Sequence, residues 1–173
     1  MKRLRILIIA MTGLLATATV AKADQIRALL TGYEETPAAV STVARGVFLA
    51  TIDPDGDAIN YSLTFNALQA AVTQAHIHVG QLSITGSIVI FLCQTSANPD
   101  PTNLAPQCPQ QGTVTGRVTA ANVIAGSIAT QQLNAGDFAA VVTAIRAGAA
   151  YANVHSVLSP GGEIRGQIRT VGK

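Results

Sequence analysis

The sequence has 173 residues, of which 49% are hydrophobic, 4% aromatic and 12% charged, and this length fits one domain with its own core. The formal net charge of +2 comes from residues 1–23, which hold four of the eleven basic residues and none of the nine acidic ones. Without them seven basic and nine acidic residues remain, a net charge of −2. The charge therefore gives no reason to predict a nucleic acid or an anionic membrane as a partner.

Residues 1–23 have the pattern of a secretory signal peptide. Lys2, Arg3 and Arg5 precede an apolar run, and Ala21-Lys22-Ala23 matches the small-x-small cleavage pattern. We predict cleavage before Asp24, an extracytoplasmic (secreted or periplasmic) location, and a single domain over residues 24–173. No later segment is long and apolar enough to predict a membrane span.

Short strands separated by Gly, Pro, Asn and Asp follow along the chain. This spacing predicts an all-β fold, an antiparallel sandwich or barrel, rather than alternating β-α-β units. Asp53, Asp55 and Asp57 lie between two strands, and we interpret them as a turn because the remainder of a calcium loop is missing. The predicted strands are residues 25–31, 46–52, 58–65, 72–79, 85–92, 113–119, 150–157 and 163–170.

Two further features interrupt the strands. Cys93 and Cys108 bracket a polar, proline-rich loop, and in an oxidising compartment such a pair is expected to form a disulfide. Residues 135–147 carry apolar side chains at offsets of three and four, which predicts one short helix that starts at Asn134 or Asp137 and ends at Gly148.

All three histidines of the chain lie in predicted strands. His76 and His78 share one face of their strand, and His155 shares a face with Tyr151 and Asn153. The alternating neighbours are apolar, so the histidines are predicted to point away from the core.

The register of the last hairpin can be predicted by matching the polar faces of its two strands. Val157 is then predicted opposite Glu163, and His155 opposite Arg165, with a five-residue loop over residues 158–162. We expect His155, Arg165 and Glu163 to form an outward-facing polar cluster.

The histidines carry the main chemical hypothesis. Two imidazoles at i and i+2 on a strand, joined by a third, resemble a three-histidine site for zinc or copper. The alternative is that His76, His78 and His155 only form hydrogen bonds that hold loops to the sheet. No nucleophile or phosphate-binding motif is present, so no catalytic residue is predicted.

Four segments carry a family resemblance: residues 30–37 (LTGYEETP), 75–80 (AHIHVG), 147–156 (AGAAYANVHS) and 162–168 (GEIRGQI). Together they resemble the CHRD domain, found in chordin and in exported bacterial proteins. The resemblance implies a β-barrel or immunoglobulin-like sandwich with a distant likeness to copper-zinc superoxide dismutase. It says little about activity.

Two functional hypotheses follow. The first is a non-enzymatic exported binding or structural module that holds copper or zinc at His76, His78 and His155, with Arg165 and Glu163 around the site. The second is a copper-dependent oxidoreductase of superoxide dismutase type, in which Arg165 attracts an anion. The second is weaker because the resemblance implies four histidines around copper and the chain has three.

Overall fold

The computed structural model describes residues 22–172. The predicted signal peptide falls on residues 1–23, nearly all of it outside the described residues, so its cleavage stays a prediction. Within residues 22–172, no helix is both long and apolar enough to cross a membrane.

Nine strands of the described chain form one antiparallel sheet, in the order β5-β4-β7-β8-β1-β2-β3-β6, with β9 paired to β1. Several neighbours in the sheet are distant in sequence, as in Greek-key folds. The strands are β1 (Asp24–Thr31), β2 (Arg45–Ile52), β3 (Ile59–Asn66), β4 (Val72–Val79), β5 (Ser87–Cys93), β6 (Gly112–Val118), β7 (Ala150–Ser156), β8 (Ile164–Gln167) and β9 (Arg169–Thr170).

The sheet curls into a nearly closed barrel, and the all-β prediction is confirmed. Its edge strand β5 meets the segment after β6 through a bridge between Ile90 and Val123. Across the same seam the Tyr61 hydroxyl donates a hydrogen bond to the Leu92 carbonyl. Contacts of this kind leave less of the edge free to pair with other chains.

The core fills the inside of the barrel because apolar residues alternate along the strands. Phe48, Leu63 and Phe65 are fully buried on β2 and β3, and Ile77 and Val154 are fully buried on β4 and β7. The inward side chains of β4 and β7 come from the apolar positions that the sequence identifies.

The single α-helix, α1 (Phe138–Arg146), packs Val141, Val142 and Ile145 against the core. It starts three residues later than predicted. Gly136 has a positive φ of 83°, which keeps the chain out of the helical conformation until Asp137. The Asp137 carboxylate accepts hydrogen bonds from the backbone and side chain of Asn134, which fixes the approach to the helix.

The predicted register of the last hairpin is wrong by two residues. Arg165 lies opposite Asn153 rather than His155, and Ile164 lies opposite Val154. A shift of two keeps each side chain on its predicted face, since side chains in a strand alternate with a period of two. The connection is longer than predicted, from the end of β7 at Ser156 to the start of β8 at Ile164.

Two predictions for the loops are confirmed. Cys93 and Cys108 form a disulfide that closes a loop of 15 residues. The acidic segment after β2 is a turn, in which Gly56 donates its backbone N–H to the Asp53 carbonyl. The Asp53 carboxylate accepts hydrogen bonds from Asn60 and Arg117.

Candidate metal centre

The three histidines lie side by side on the outer face of two neighbouring strands. His76 and His78 belong to β4 and His155 to β7, and these strands are paired in the sheet. The alternation that buries Ala75 and Ile77 in the core turns both β4 histidines outward. The sequence therefore predicted the faces of these residues correctly.

The prediction that His155, Arg165 and Glu163 form an outward-facing cluster is wrong, because this part of the outer face is covered. Arg165 is 1% exposed, Glu163 is 0% exposed, and the histidines range from 0% to 6%. The cover, which we call the roof, consists of residues 32–36, 80–87 and 157–163. Roof residues contact His78, His155 and Arg165 directly.

The ring nitrogens of the three histidines converge. One ligand atom from each lies within 4.8 Å of the others. His76 Nδ1 and His155 Nε2 lie 3.1 Å apart, at hydrogen-bond distance. A tetrahedral zinc ion with bonds near 2.0–2.1 Å holds its nitrogens about 3.3 Å apart, so the rings would have to rearrange to complete such a site.

Hydrogen bonds to the roof fix the tautomers of two rings. His78 Nδ1 lies 2.9 Å from the Gly86 carbonyl, and His155 Nδ1 lies 2.9 Å from the Pro160 carbonyl. A carbonyl oxygen only accepts, so each Nδ1 carries the proton and each Nε2 keeps its lone pair. His155 Nε2 accepts from His76 Nδ1, which leaves a lone pair on His76 Nε2 as well.

The hydrogen bonds of the histidines are typical of residues that bind metals. Histidines that bind metals usually donate their second ring N–H to a carbonyl or carboxylate, and both His78 and His155 do so. The Nε2 atoms of His76 and His78 are buried and have no hydrogen-bond partner within residues 22–172. These two lone pairs are therefore available to an ion, and the lone pair of His155 Nε2 becomes available when its hydrogen bond with His76 Nδ1 is broken.

Burial also keeps the imidazoles neutral, as metal ligation requires. It lowers the pKa of His78 to about 4 and the pKa of His155 below its usual value. Burial, reinforced by the other two rings, lowers the pKa of His76 well below 6.5. All three rings are uncharged at neutral pH.

Arg165 holds the roof in place over the site. Its guanidinium donates hydrogen bonds to Thr36 Oγ1 and to the carbonyls of Gln81 and Ile84. It also lies 3.5 Å from the centre of the Tyr151 ring, which stacks on His78 at 4.5 Å. Arg165 thus contacts the cluster indirectly, through the Tyr151 ring that stacks on His78 and through the roof.

Glu163 is not brought to the histidines. Its carboxylate accepts hydrogen bonds from Thr42 Oγ1, the Gln69 backbone and Ser156 Oγ. These contacts tie the loops before β2 and β4 to the end of β7. The role of Glu163 in the structure is to join loops.

Sequence reasoning missed two residues beside the cluster. Glu35 is buried in the roof near Arg165, and burial raises its pKa to about 7 although Arg165 lowers it. Phe91 contacts His76 edge to face at 4.3 Å. Phe91 reaches this face because two register shifts along β5 pair it with His76 and leave Leu92 unpaired with β4.

The fold and the site together define an all-β barrel domain with a buried three-histidine cluster that could hold a metal ion. Residues 26–168 match the family profile described as the CHRD domain. The chain belongs to this family, and the resemblance is confirmed. No curated protein and no solved structure matches the chain significantly.

Proposed function

We propose that this chain is an exported CHRD-domain protein that binds one copper or zinc ion through His76, His78 and His155, and that it acts as a non-enzymatic binding module. The observation that carries the proposal is the pair of buried, unpartnered Nε2 atoms on His76 and His78. A buried acceptor without a donor is destabilising, and a shared cation would satisfy both atoms.

Export is supported by the sequence and by the disulfide. The signal-peptide pattern of residues 1–23 directs the chain out of the cytosol. A disulfide between Cys93 and Cys108 suits an oxidising compartment such as the periplasm or the exterior. The ion would accordingly be acquired outside the cytosol.

The oxidoreductase alternative gains no support from the arrangement of Arg165. An arginine that draws an anion to a metal needs free donors at an accessible channel. Arg165 is 1% exposed, and both of its terminal nitrogens already donate to roof acceptors. A binding role without turnover fits this enclosed cluster better.

The proposal is tested by metal analysis and calorimetric titration of the purified mature domain with Zn²⁺ and Cu²⁺. Wild type should bind one ion with a dissociation constant below about 1 μM, and His78→Ala and His155→Ala should lose this binding. Gln25→Ala is the control, because Gln25 is exposed on β1 and belongs neither to the cluster nor to the roof. Failure of wild type to bind either metal at micromolar concentration would sink the proposal.

A superoxide turnover assay on the loaded protein separates the two functional hypotheses. The binding module predicts a stoichiometric complex without turnover above that of the free ion. Turnover that disappears in Arg165→Met would instead support the oxidoreductase.

A further inference from the structure

Three buried acceptor atoms without donors meet at the histidine cluster. Two are the Nε2 atoms of His76 and His78, and the third is Oδ1 of Asn153 on β7. None of them has a hydrogen-bond partner in the part of the chain that the structure describes. Buried acceptors without donors call for a partner that the protein itself does not supply, such as a water molecule or an ion.

The position of Asn153 follows from the strand pairing. Asn153 lies directly opposite His76 in the register of β4 and β7. Its side chain lies on the same face as His155, two residues further along β7, and it is 2% exposed. The amide also approaches the His78 ring. Asn153 is therefore next to all three histidines.

The chemistry of these atoms favours a cation over a further hydrogen bond. With these tautomers the Nε2 atoms of His76 and His78 are free acceptors, while His155 Nε2 already accepts from His76 Nδ1. The Asn153 amide oxygen adds a third free acceptor and no proton. Amide oxygens and neutral imidazoles are both metal ligands. A cation can satisfy all three free acceptors at once, whereas a water molecule has only two protons to donate.

We infer that Asn153 Oδ1 is the fourth ligand of the ion that His76, His78 and His155 hold. This inference rests on the proposed function and deepens it, since it specifies the donor set as three imidazole nitrogens and one amide oxygen. An oxygen donor is hard, and Cu⁺ prefers soft ligands. The site should therefore select Zn²⁺ or Cu²⁺ over Cu⁺.

A competing role for Asn153 gives the opposite result on mutation. If the amide were turned so that Nδ2 donated to the histidine Nε2 atoms, the hydrogen bonds would compete with the ion. Removing the amide would then leave metal affinity unchanged or increase it. If Oδ1 is a ligand, removing it weakens binding.

The experiment titrates Zn²⁺ into the purified wild type, Asn153→Leu and Asn153→Asp. Asn153→Leu should bind Zn²⁺ at least about 10-fold more weakly, because loss of a ligand should cost no less than the 10- to 100-fold typical of losing an outer-shell partner. Asn153→Asp, with a carboxylate oxygen at the same place, should restore the affinity. Gln25→Leu should bind as wild type does. It is the control because Gln25 is an amide residue exposed on β1, outside the cluster and the roof.

The outcomes separate the two proposals. If wild type binds and His78→Ala does not, but Asn153→Leu binds as tightly as wild type, only the inference about Asn153 is overturned. Failure of Asn153→Asp to restore binding in a folded protein also overturns it. If wild type itself binds nothing, the proposed function fails first.

A second measurement avoids variants that fold poorly. In isotope-labelled wild type, the side-chain carbonyl resonance of Asn153 should shift when one equivalent of Zn²⁺ is added, and that of Gln25 should not. An unchanged Asn153 resonance in a zinc-bound sample would overturn the inference.

Discussion

Glu35 gives the sharpest test of the electrostatics around the site. Burial raises the pKa of Glu35 from 4.5 to about 7, and Arg165 offsets only part of this effect. One carboxylate oxygen, Oε1, has no hydrogen-bond partner in residues 22–172. The ionised form of Glu35 is therefore poorly stabilised by the groups around it.

The sign of the pH effect follows from linkage. Between pH 4.5 and about 7 the folded state keeps the Glu35 proton that the unfolded state has released. The stabilising contribution of Glu35 is thus complete below pH 4.5 and is lost as the pH rises through this window. Raising the pKa of Glu35 from 4.5 to about 7 corresponds to a change of about 3 kcal/mol in the free energy of unfolding.

Glu35→Gln removes this titration and keeps the shape of the side chain. Relative to wild type, the variant should gain about 1.4 kcal/mol per pH unit between pH 4.5 and 7, and about 3 kcal/mol in all. The lowered pKa values of the histidines act in the opposite direction, with stability lost as the pH falls below 6.5. These histidine contributions are the same in wild type and in Glu35→Gln, so they cancel when the two free energies of unfolding are compared.

The assay is urea unfolding of the metal-free proteins from pH 4 to 8.5, with a chelator present. Glu34→Gln is the matched control, because Glu34 is the adjacent carboxyl and is exposed to water. Glu34→Gln should not show the gain in the free energy of unfolding near neutral pH that we expect of Glu35→Gln. A difference between wild type and Glu35→Gln that stays flat with pH, or falls as the pH rises, would refute the reasoning.

Three further predictions concern stability and are measured by urea unfolding at pH 7. Replacing Cys93 and Cys108 by alanine should cost about 3 kcal/mol, the entropy of a loop of 15 residues, and a loss below 1 kcal/mol would contradict this. Gly162→Ala should cost about 1–3 kcal/mol because φ is +129°, whereas Gly161→Ala, with open space around it, should cost much less. Glu163→Leu should destabilise by about 3–5 kcal/mol, because it leaves three donors unpaired.

The strands and the faces of the histidines could be predicted from the sequence because both depend on local alternation. The strand over 72–79 was predicted with the bounds that the structure shows. The register of the last hairpin could not be fixed in the same way. Faces alternate with a period of two, so pairing His155 or Asn153 with Arg165 satisfies the pattern equally well.

The burial of the site could not be predicted from local pattern. Polar residues that alternate with apolar ones indicate a face in contact with water, and Arg165 and His155 were assigned accordingly. The roof depends on contacts between segments far apart in the chain, such as Arg165 with Thr36, 129 residues away. The shared face of Asn153 and His155 was visible in the sequence, but its ligand chemistry depends on which atoms lack partners.

The pairing of β4 with β7 also determines when the site can come into existence during synthesis. His76 and His155 are 79 positions apart in the sequence. Of the three histidines, only His76 and His78 are close in sequence. A nascent chain that has emerged only through β6 contains His76 and His78 but not yet His155. Truncated products would carry a weak, open pair of histidines, and tight loading with metal would distinguish complete molecules from fragments.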